Sequence, residues 1–344
     1  MEWKMRWQTS LLTIAIALAG VAPAPGVAAD FYSGKTITLI SGSAPGGGYD
    51  QMARLMARHL GRHIPGEPAI AVQNMPAAGS LVATNLLANT APRDGTEIGL
   101  IQRGMLLAKF TMGAQVQFDL AKLNWIGSLN SETAVSLANA SAPVMSAQDL
   151  LEKELIVGGE TNVDPETTAL LYNDLIGTKF KLVNGYNGTT EIGLAMERGE
   201  VQGIADWSWS SLKVQHPEWL RDKKVRVLIQ GSLTPNPELP NAPTALSLVK
   251  GEIEKRALEL YFTQKTVARP VLAPPGLPAD RVAILRKAFN ELAQDKAFLA
   301  DADQSKLEIN LLDSAGVDAV IGLITGATPE VRARYIKGAT SNGN

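Results

Sequence analysis

Lys35-Thr36-Ile37-Thr38-Leu39-Ile40, then Ser41-Gly42-Ser43-Ala44-Pro45-Gly46-Gly47-Gly48, then Tyr49-Asp50-Gln51-Met52-Ala53-Arg54-Leu55-Met56-Ala57-Arg58-His59-Leu60 is the stretch whose reading decides the fold. The first segment is a short run of β-branched and aliphatic residues, which suit a pleated surface. The second holds three consecutive glycines after a proline, the composition of a turn. In the third, Met52, Leu55, Met56, His59 and Leu60 fall on one face of a helix. Strand, glycine loop and amphipathic helix in that order form one unit of an α/β protein.

The unit recurs. Ala69–Gln73 reads as a strand, Asn74–Gly79 as a loop and Ser80 as the opening of a helix, with Thr96–Ile101 as a third strand. Further on, Leu155–Val157 is followed by the loop Gly158–Val163 and a helix start at Asp164-Pro165-Glu166, where Asp suits an N-cap and Pro the first helical position. Phe180–Val183, the loop Asn184–Gly188 and a helix capped by Thr189 repeat the order, and Gly203–Ala205 and Val225–Ile229 read as strands. A long amphipathic helix starts at Asp280, with Val282, Leu285, Phe289 and Leu292 along one stripe. The expected architecture is α/β, with parallel sheets covered by helices.

A chain of 344 residues suggests two domains. Lys and Arg total 32 against 34 Asp and Glu, so there is no overall field for gripping nucleic acid, and no nucleic-acid partner is expected. The absence of cysteine excludes disulfides, thiolate metal sites and cysteine nucleophiles. At the start, Lys4 and Arg6 precede the apolar run Leu11–Ala19 and the small residues Val27-Ala28-Ala29, the layout of a secretory signal peptide cut after Ala29. Losing Glu2, Lys4 and Arg6 removes a net +1, so the charge goes from −2 to −3.

The glycines of Ala44-Pro45-Gly46-Gly47-Gly48-Tyr49-Asp50 let backbone approach a ligand, and the following helix start offers free N–H groups to an anion. The loop lacks the Lys-Ser/Thr of a P-loop and the spread glycines of a dinucleotide fingerprint. A second glycine loop at Ala77-Ala78-Gly79-Ser80 precedes a second helix, and two helix starts at neighbouring strand ends converge on one point. Together they suggest capture of a carboxylate. His59 and His63 are four apart, but Gly61 and Pro65 end the helix there, so no metal is expected. No Gly-x-Ser-x-Gly elbow or His-Glu-x-x-His pair occurs, so neither an enzyme nor a catalytic residue is expected, with a secreted α/β hydrolase as the alternative. Arg54, Arg58 and Arg62 recur every four residues as a solvated face.

Those residues, with Val72-Gln73-Asn74-Met75-Pro76, Ala91-Pro92-Arg93-Asp94-Gly95-Thr96, Gly199-Glu200-Val201-Gln202-Gly203 and Leu272-Ala273-Pro274-Pro275-Gly276-Leu277-Pro278, resemble the Bug family. These are the extracytoplasmic, TctC-like solute receptors of tripartite tricarboxylate transporters. Tyr49 stands where the family often has Ser or Thr, and Ala77 or Ala78 where it often has Gly. The resemblance implies a periplasmic, type II-like binding protein: two α/β lobes joined by a hinge and closing on a small organic carboxylate, with no cofactor. The implied partners are the large and small membrane subunits of the transporter, and a monomer is expected. A ligand-sensing receptor for a signalling kinase is the alternative within binding proteins.

Carried over, the ligand-binding residues of the first lobe are Ala44, Gly46, Gly47, Gly48, Tyr49 and Asp50 with Ala78, Gly79 and Ser80. Those of the second are Gly159, Glu160 and Thr161, Tyr186, Asn187 and Gly188, and Asp206 with Trp207. Asp206 could equally cap a turn, Trp207 could pack in a core, and Glu160 could be a solvated charge that repels an anion. Arg103 could face the cleft as a counter-charge or make a surface salt bridge. The crossings are placed at Trp125–Ala140 and Ile229–Ala242, which lets Asn130 and Ser131 line the cleft. The first lobe is then residues 30–125 with 235–344, and the second 126–234.

Overall fold

The computed structural model describes residues 31–341. The expected leader, 1–29, and its cut after Ala29 lie outside them, as do 342–344.

The quoted stretch folds as strand β1 (Thr36–Ser41), a loop, and helix α1 (Gly48–Leu60). Met52, Leu55, Met56, His59 and Leu60 are all buried, as their spacing requires. Next come β2 (Ala69–Asn74), α2 (Leu81–Asn89), β3 (Glu97–Leu100) and β4 (Asn124–Ser128). After a crossing, β5 (Ala134–Asn139), β6 (Leu155–Gly159), α3 (Asp164–Leu175), β7 (Phe180–Asn184), α4 (Thr189–Arg198), β8 (Gly203–Ser208) and β9 (Val225–Gly231) follow. The chain closes with α5 (Glu252–Thr263), β10 (Pro270–Ala273), α6 (Ala279–Leu292), α7 (Lys296–Gln304), β11 (Leu312–Asp313), α8 (Ser314–Thr325) and α9 (Pro329–Ala339).

The strands make two sheets, ordered β11-β4-β10-β3-β1-β2 and β7-β6-β8-β5-β9. β1 lies parallel between β2 and β3, with Ile37 opposite Ile70 and Leu39 opposite Val72. β6 lies parallel to β7 and β8. The sheets are nevertheless mixed, not parallel as expected: β10 is antiparallel to β3 and β4, and β5 to β8 and β9. The reason lies in the crossings. Leu129 N–H donates to Arg269 O at 3.2 Å, Ala268 N–H to Asn130 O at 2.9 Å and Glu132 N–H to Lys265 O at 2.9 Å. The chain therefore leaves and returns along one antiparallel pair, and β10 enters the first sheet running against β4.

The return differs from the expected Ile229–Ala242. That segment stays at the edge of the second sheet, where the Gln230 amide donates to Leu239 O at 3.0 Å and Ala242 O at 2.6 Å. Helices α5 and α9 also lie against α3. Arg334 on α9 bonds both Glu254 on α5 and Asp174 on α3.

Each sheet carries a buried core. Phe289 of α6 lies so close to β4 that a Cβ at Gly127 would overlap its ring, so only glycine fits there. Burying a side chain of this size contributes about 1.5–3 kcal/mol. Under the second sheet, Trp207 and Trp219 meet edge to face at 5.7 Å.

Candidate functional site

The carboxyl ends of the parallel strands from both sheets converge, and the loops after them enclose a cavity of about 310 Å³. One wall is Ser43, Ala44, Pro45, Gly47, Gly48 and Tyr49, with Gln102 and Arg103 after β3. The other is Glu160, Asp164 and Pro165 after β6, Asn187 to Glu191 after β7, and Asp206 to Ser208 with Ser211 at β8; Arg269 from the crossing also lines it.

The glycine loop is held from behind. The Asp50 carboxylate accepts from Gly46 N–H at 2.9 Å, Asn74 Nδ2 at 2.8 Å and Arg54 Nε at 2.9 Å. Burial alone would raise this carboxyl's pKa, but those hydrogen bonds hold it below its ordinary value. Gly47 occupies the N-cap of α1 without a side-chain cap, and Gly188, at φ 115°, does the same for α4. Two helix N-termini therefore face the cavity with first-turn N–H groups that their N-cap side chains leave open.

Tyr49 fills space that a smaller residue would leave. Its hydroxyl accepts from the Arg103 backbone N–H at 3.1 Å, and the Arg269 guanidinium lies 4.3 Å from its ring centre. The close approach of the opposite wall explains Gly48: a Cβ there would overlap Ser211 Oγ.

The charges are arranged in pairs. Arg103, 3% exposed, lies 2.5 Å from Asp164 and 3.3 Å from Asp206 through Nη2. Lys265, 1% exposed, lies 2.7 Å from Asp206 and 3.5 Å from Asp164. Thr168 Oγ1 adds a hydrogen bond to Asp206 at 2.8 Å. Burial works against charge at Arg103 and Asp164, yet each holds the other ionised: the guanidinium's pKa is pushed up and the carboxyl's down. Arg269 faces Glu132 at 3.8 Å. Glu160 differs. Burial, with Asp164 nearby, pushes its carboxyl up to about 7, against a hydrogen bond from the Gln102 side chain.

Of the residues expected at the site, Ala44, Gly47, Gly48, Tyr49, Arg103, Glu160, Asn187, Gly188, Asp206 and Trp207 line the cavity. Gly46 and Asp50 support the loop from behind. Ala78, Gly79 and Ser80 form a left-handed turn at φ 50°, 60° and 78°. A Cβ at Gly79 would overlap Val163 of the opposite wall, so this turn is a contact between walls. Ser80 precedes α2 but does not cap it: its hydroxyl donates to Gly42 O at 2.6 Å and accepts from Gln102 N–H at 2.9 Å. Gly159 is buried against Asn184 at the end of β6, Thr161 is exposed, and Tyr186 lies over Gly158. Asn130 lies in the crossing and lines a separate hollow with Ser131 and Trp209.

Two cap readings change. Val163 is the N-cap of α3, which frees Asp164 to reach Arg103, and Gly188 rather than Thr189 precedes α4. Trp207 is fully buried among Trp219 and His216, in keeping with its packing reading. Arg58 and Arg62 pair with Asp301 and Asp295 near α7, so that face is partly docked. His59 and His63 bond the same two carboxylates at 2.6 and 2.7 Å. The three-residue group with metal-ligand spacing among the described residues is instead Glu197, His216 and Glu218, whose donor atoms lie within 4.8 Å of one another.

Among the lining residues that sequence reasoning missed are Gln102, Asp164, Glu191, Ser211 and Arg269, with Lys265 behind them. Lys265 and Arg269 both precede β10, and buried charges there need partners that only the fold supplies.

No family model matches the chain. It is 25% identical over 290 residues, 81% of each chain, to a UPF0065 protein in the gbd 5′ region of Cupriavidus necator. Over 82 residues, 24% of each chain, it is 42% identical to Protein BugT of Bordetella pertussis. The structure of the periplasmic binding protein BugD superposes with a TM-score of 0.68 at 18% identity, covering 90% of this chain and 99% of that one. MatC from Rhodopseudomonas palustris, solved with bound malate, gives 0.65 at 20% identity, covering 89% and 99%. The two sheets and these likenesses agree with the resemblance read from the sequence: the chain is similar to Bug proteins in sequence and has the fold of the periplasmic binding proteins.

Proposed function

We propose that the chain is a periplasmic receptor that captures one small organic carboxylate between two lobes and delivers it to the membrane subunits of a tripartite tricarboxylate-type transporter. One observation carries this reading: a cavity of about 310 Å³ with uncapped starts of α1 and α4 on its opposite walls. That volume is at the lower end of the range for small-molecule sites. The ligand's carboxylate takes the N–H groups of Gly48 and Tyr49, because the anion-favouring end of α1 lies there without a cap. The malate in MatC and the adipate in a second Rhodopseudomonas palustris protein, TM-score 0.67 at 18% identity, support a carboxylate as the ligand class.

In this reading the lobes are the bodies around the two sheets, hinged at 129–132 and 265–269. The second boundary moves from 235 to about 265, because 229–242 stays on the second sheet. Contacts between Gly48 and Ser211, Gly79 and Val163, and Arg103 and Asp164 belong to the closed form, which a ligand touching both walls favours over the open one. The leader accounts for a periplasmic location.

The test is a melting series of the chain, expressed with its own leader and purified, against a panel of small carboxylates. A ligand at 100 times its dissociation constant adds about 2.7 kcal/mol of stability. The expected result is a saturable shift with one carboxylate, recovered chemically unchanged. Consumption of the carboxylate, or no shift across the panel, contradicts the reading.

A further inference from the structure

The cations that line or back the cavity are all committed to protein carboxylates. Arg103 and Lys265 share Asp164 and Asp206, and Arg269 faces Glu132. Those three cations and three carboxylates balance, so the cluster offers a ligand no surplus positive charge. Two further carboxyl groups line the cavity, Glu160 and Glu191. Glu191 uses both oxygens within its own turn, on Asn187 N–H at 2.8 Å and on the Asn187 amide at 3.1 and 3.2 Å. Glu160 has no ion-pair partner among the described residues; its neighbour is the Gln102 side chain.

Glu160 also stands at the start of α4: a Cβ on Gly188 would lie 3.8 Å from Glu160 Oε2. The acid nearest that helix start is therefore the protein's own. The charged groups acting on Glu160 are the carboxylates of Asp164 on α3 and Glu191 on α4, and the two cations that line the same cavity, Arg103 and Arg269, already face Asp164 and Glu132. A second ligand carboxylate placed here would meet Glu160 and Asp164 together. A positively charged nitrogen would meet an unpaired carboxylate in a partly desolvated site, where such a pair is strong.

We infer that the ligand carries a positively charged nitrogen as well as a carboxylate, the carboxylate lying at the start of α1 and the nitrogen bonding Glu160. This rests on the carboxylate reading above and narrows it to zwitterionic ligands. Burial and Asp164 raise the pKa of Glu160, and a bound cation draws its proton off.

The experiment compares matched pairs that differ by one amino group: propionate and β-alanine, butyrate and 4-aminobutyrate, succinate and aspartate, glutarate and glutamate. Each is titrated calorimetrically into the wild-type chain and into Glu160→Gln, which keeps the shape and removes the charge. The expected result is that within a binding pair the amino member binds at least tenfold more tightly in wild type, and that the gap falls below threefold in E160Q. Plain acids binding as tightly as their amino partners in wild type overturn the inference and leave the carboxylate reading standing. A gap that survives in E160Q overturns the role of Glu160. Binding by no member of either series overturns both readings. The ordering in wild type needs no variant, so a poorly folded E160Q does not rescue the proposal.

Discussion

Arg103, placed by the turn after β3 of the first sheet, bonds Asp164, the first residue of α3 on the second sheet, at 2.5 Å. Both side chains are largely withdrawn from water. The pair is a clasp across the cavity, and Lys265 and Asp206 complete it from the crossing and from β8.

Replacing Arg103 with Leu leaves two buried carboxylates against Lys265 alone. Breaking a buried pair from one side costs about 3–5 kcal/mol, because the remaining charge is uncompensated. The urea midpoint should fall by the corresponding amount, and a loss below about 1 kcal/mol would show that the clasp is solvated.

Gly48 and Ser211 meet across the walls, and a Cβ on Gly48 would overlap the serine hydroxyl. Gly48→Ala should weaken carboxylate binding by about tenfold, or 1.4 kcal/mol. Ser211→Ala in the same chain should recover most of that loss, since the obstacle is one hydroxyl. Calorimetry on the single and double variants checks this, and purely additive effects would rule out the clash.

Glu160 titrates near 7 in the folded chain and near 4.3 in the unfolded one. The folded state binds the extra proton between those values, so this group lowers stability as pH rises from about 4 to about 7. Glu160→Gln should match wild type below pH ~4 and exceed it in stability above pH ~7. Chemical denaturation at the two ends of that window reads the difference, and equal midpoints at high pH would contradict the burial of this carboxyl.

Asp301 moves the other way. Hydrogen bonds from Arg58 and His59 lower its pKa to about 2. Its contribution is present above the unfolded value near 3.9 and is lost as pH falls through about 2. Asp301→Asn should therefore be less stable than wild type at pH 5, with the gap closing toward pH 2. A gap independent of pH would assign the effect to packing alone.

Much of this was legible in the chain itself. The face of α1 follows from Met52, Leu55, Met56 and Leu60, and the glycines before it mark one wall of the cavity, because period and turn composition are local properties. What escaped is non-local. Asp164 reads as a cap from its neighbours, yet its carboxylate answers to an arginine on the other sheet. The return crossing was misplaced because proline-rich 233–242 looks like a linker, while the residues that cross, 265–269, carry buried charges whose partners arrive from three other segments. Helix α9 looks like a tail to the first body but lies against α3, a contact that no local pattern specifies.

The most direct measurement of the central claim is a crystal structure of the chain with the carboxylate that gives the largest melting shift. The account predicts one ligand in the cavity between the sheets, its carboxylate within hydrogen-bond distance of the Gly48 and Tyr49 N–H groups. A ligand seated elsewhere, or in that cavity with its carboxylate turned away from the start of α1, would contradict it.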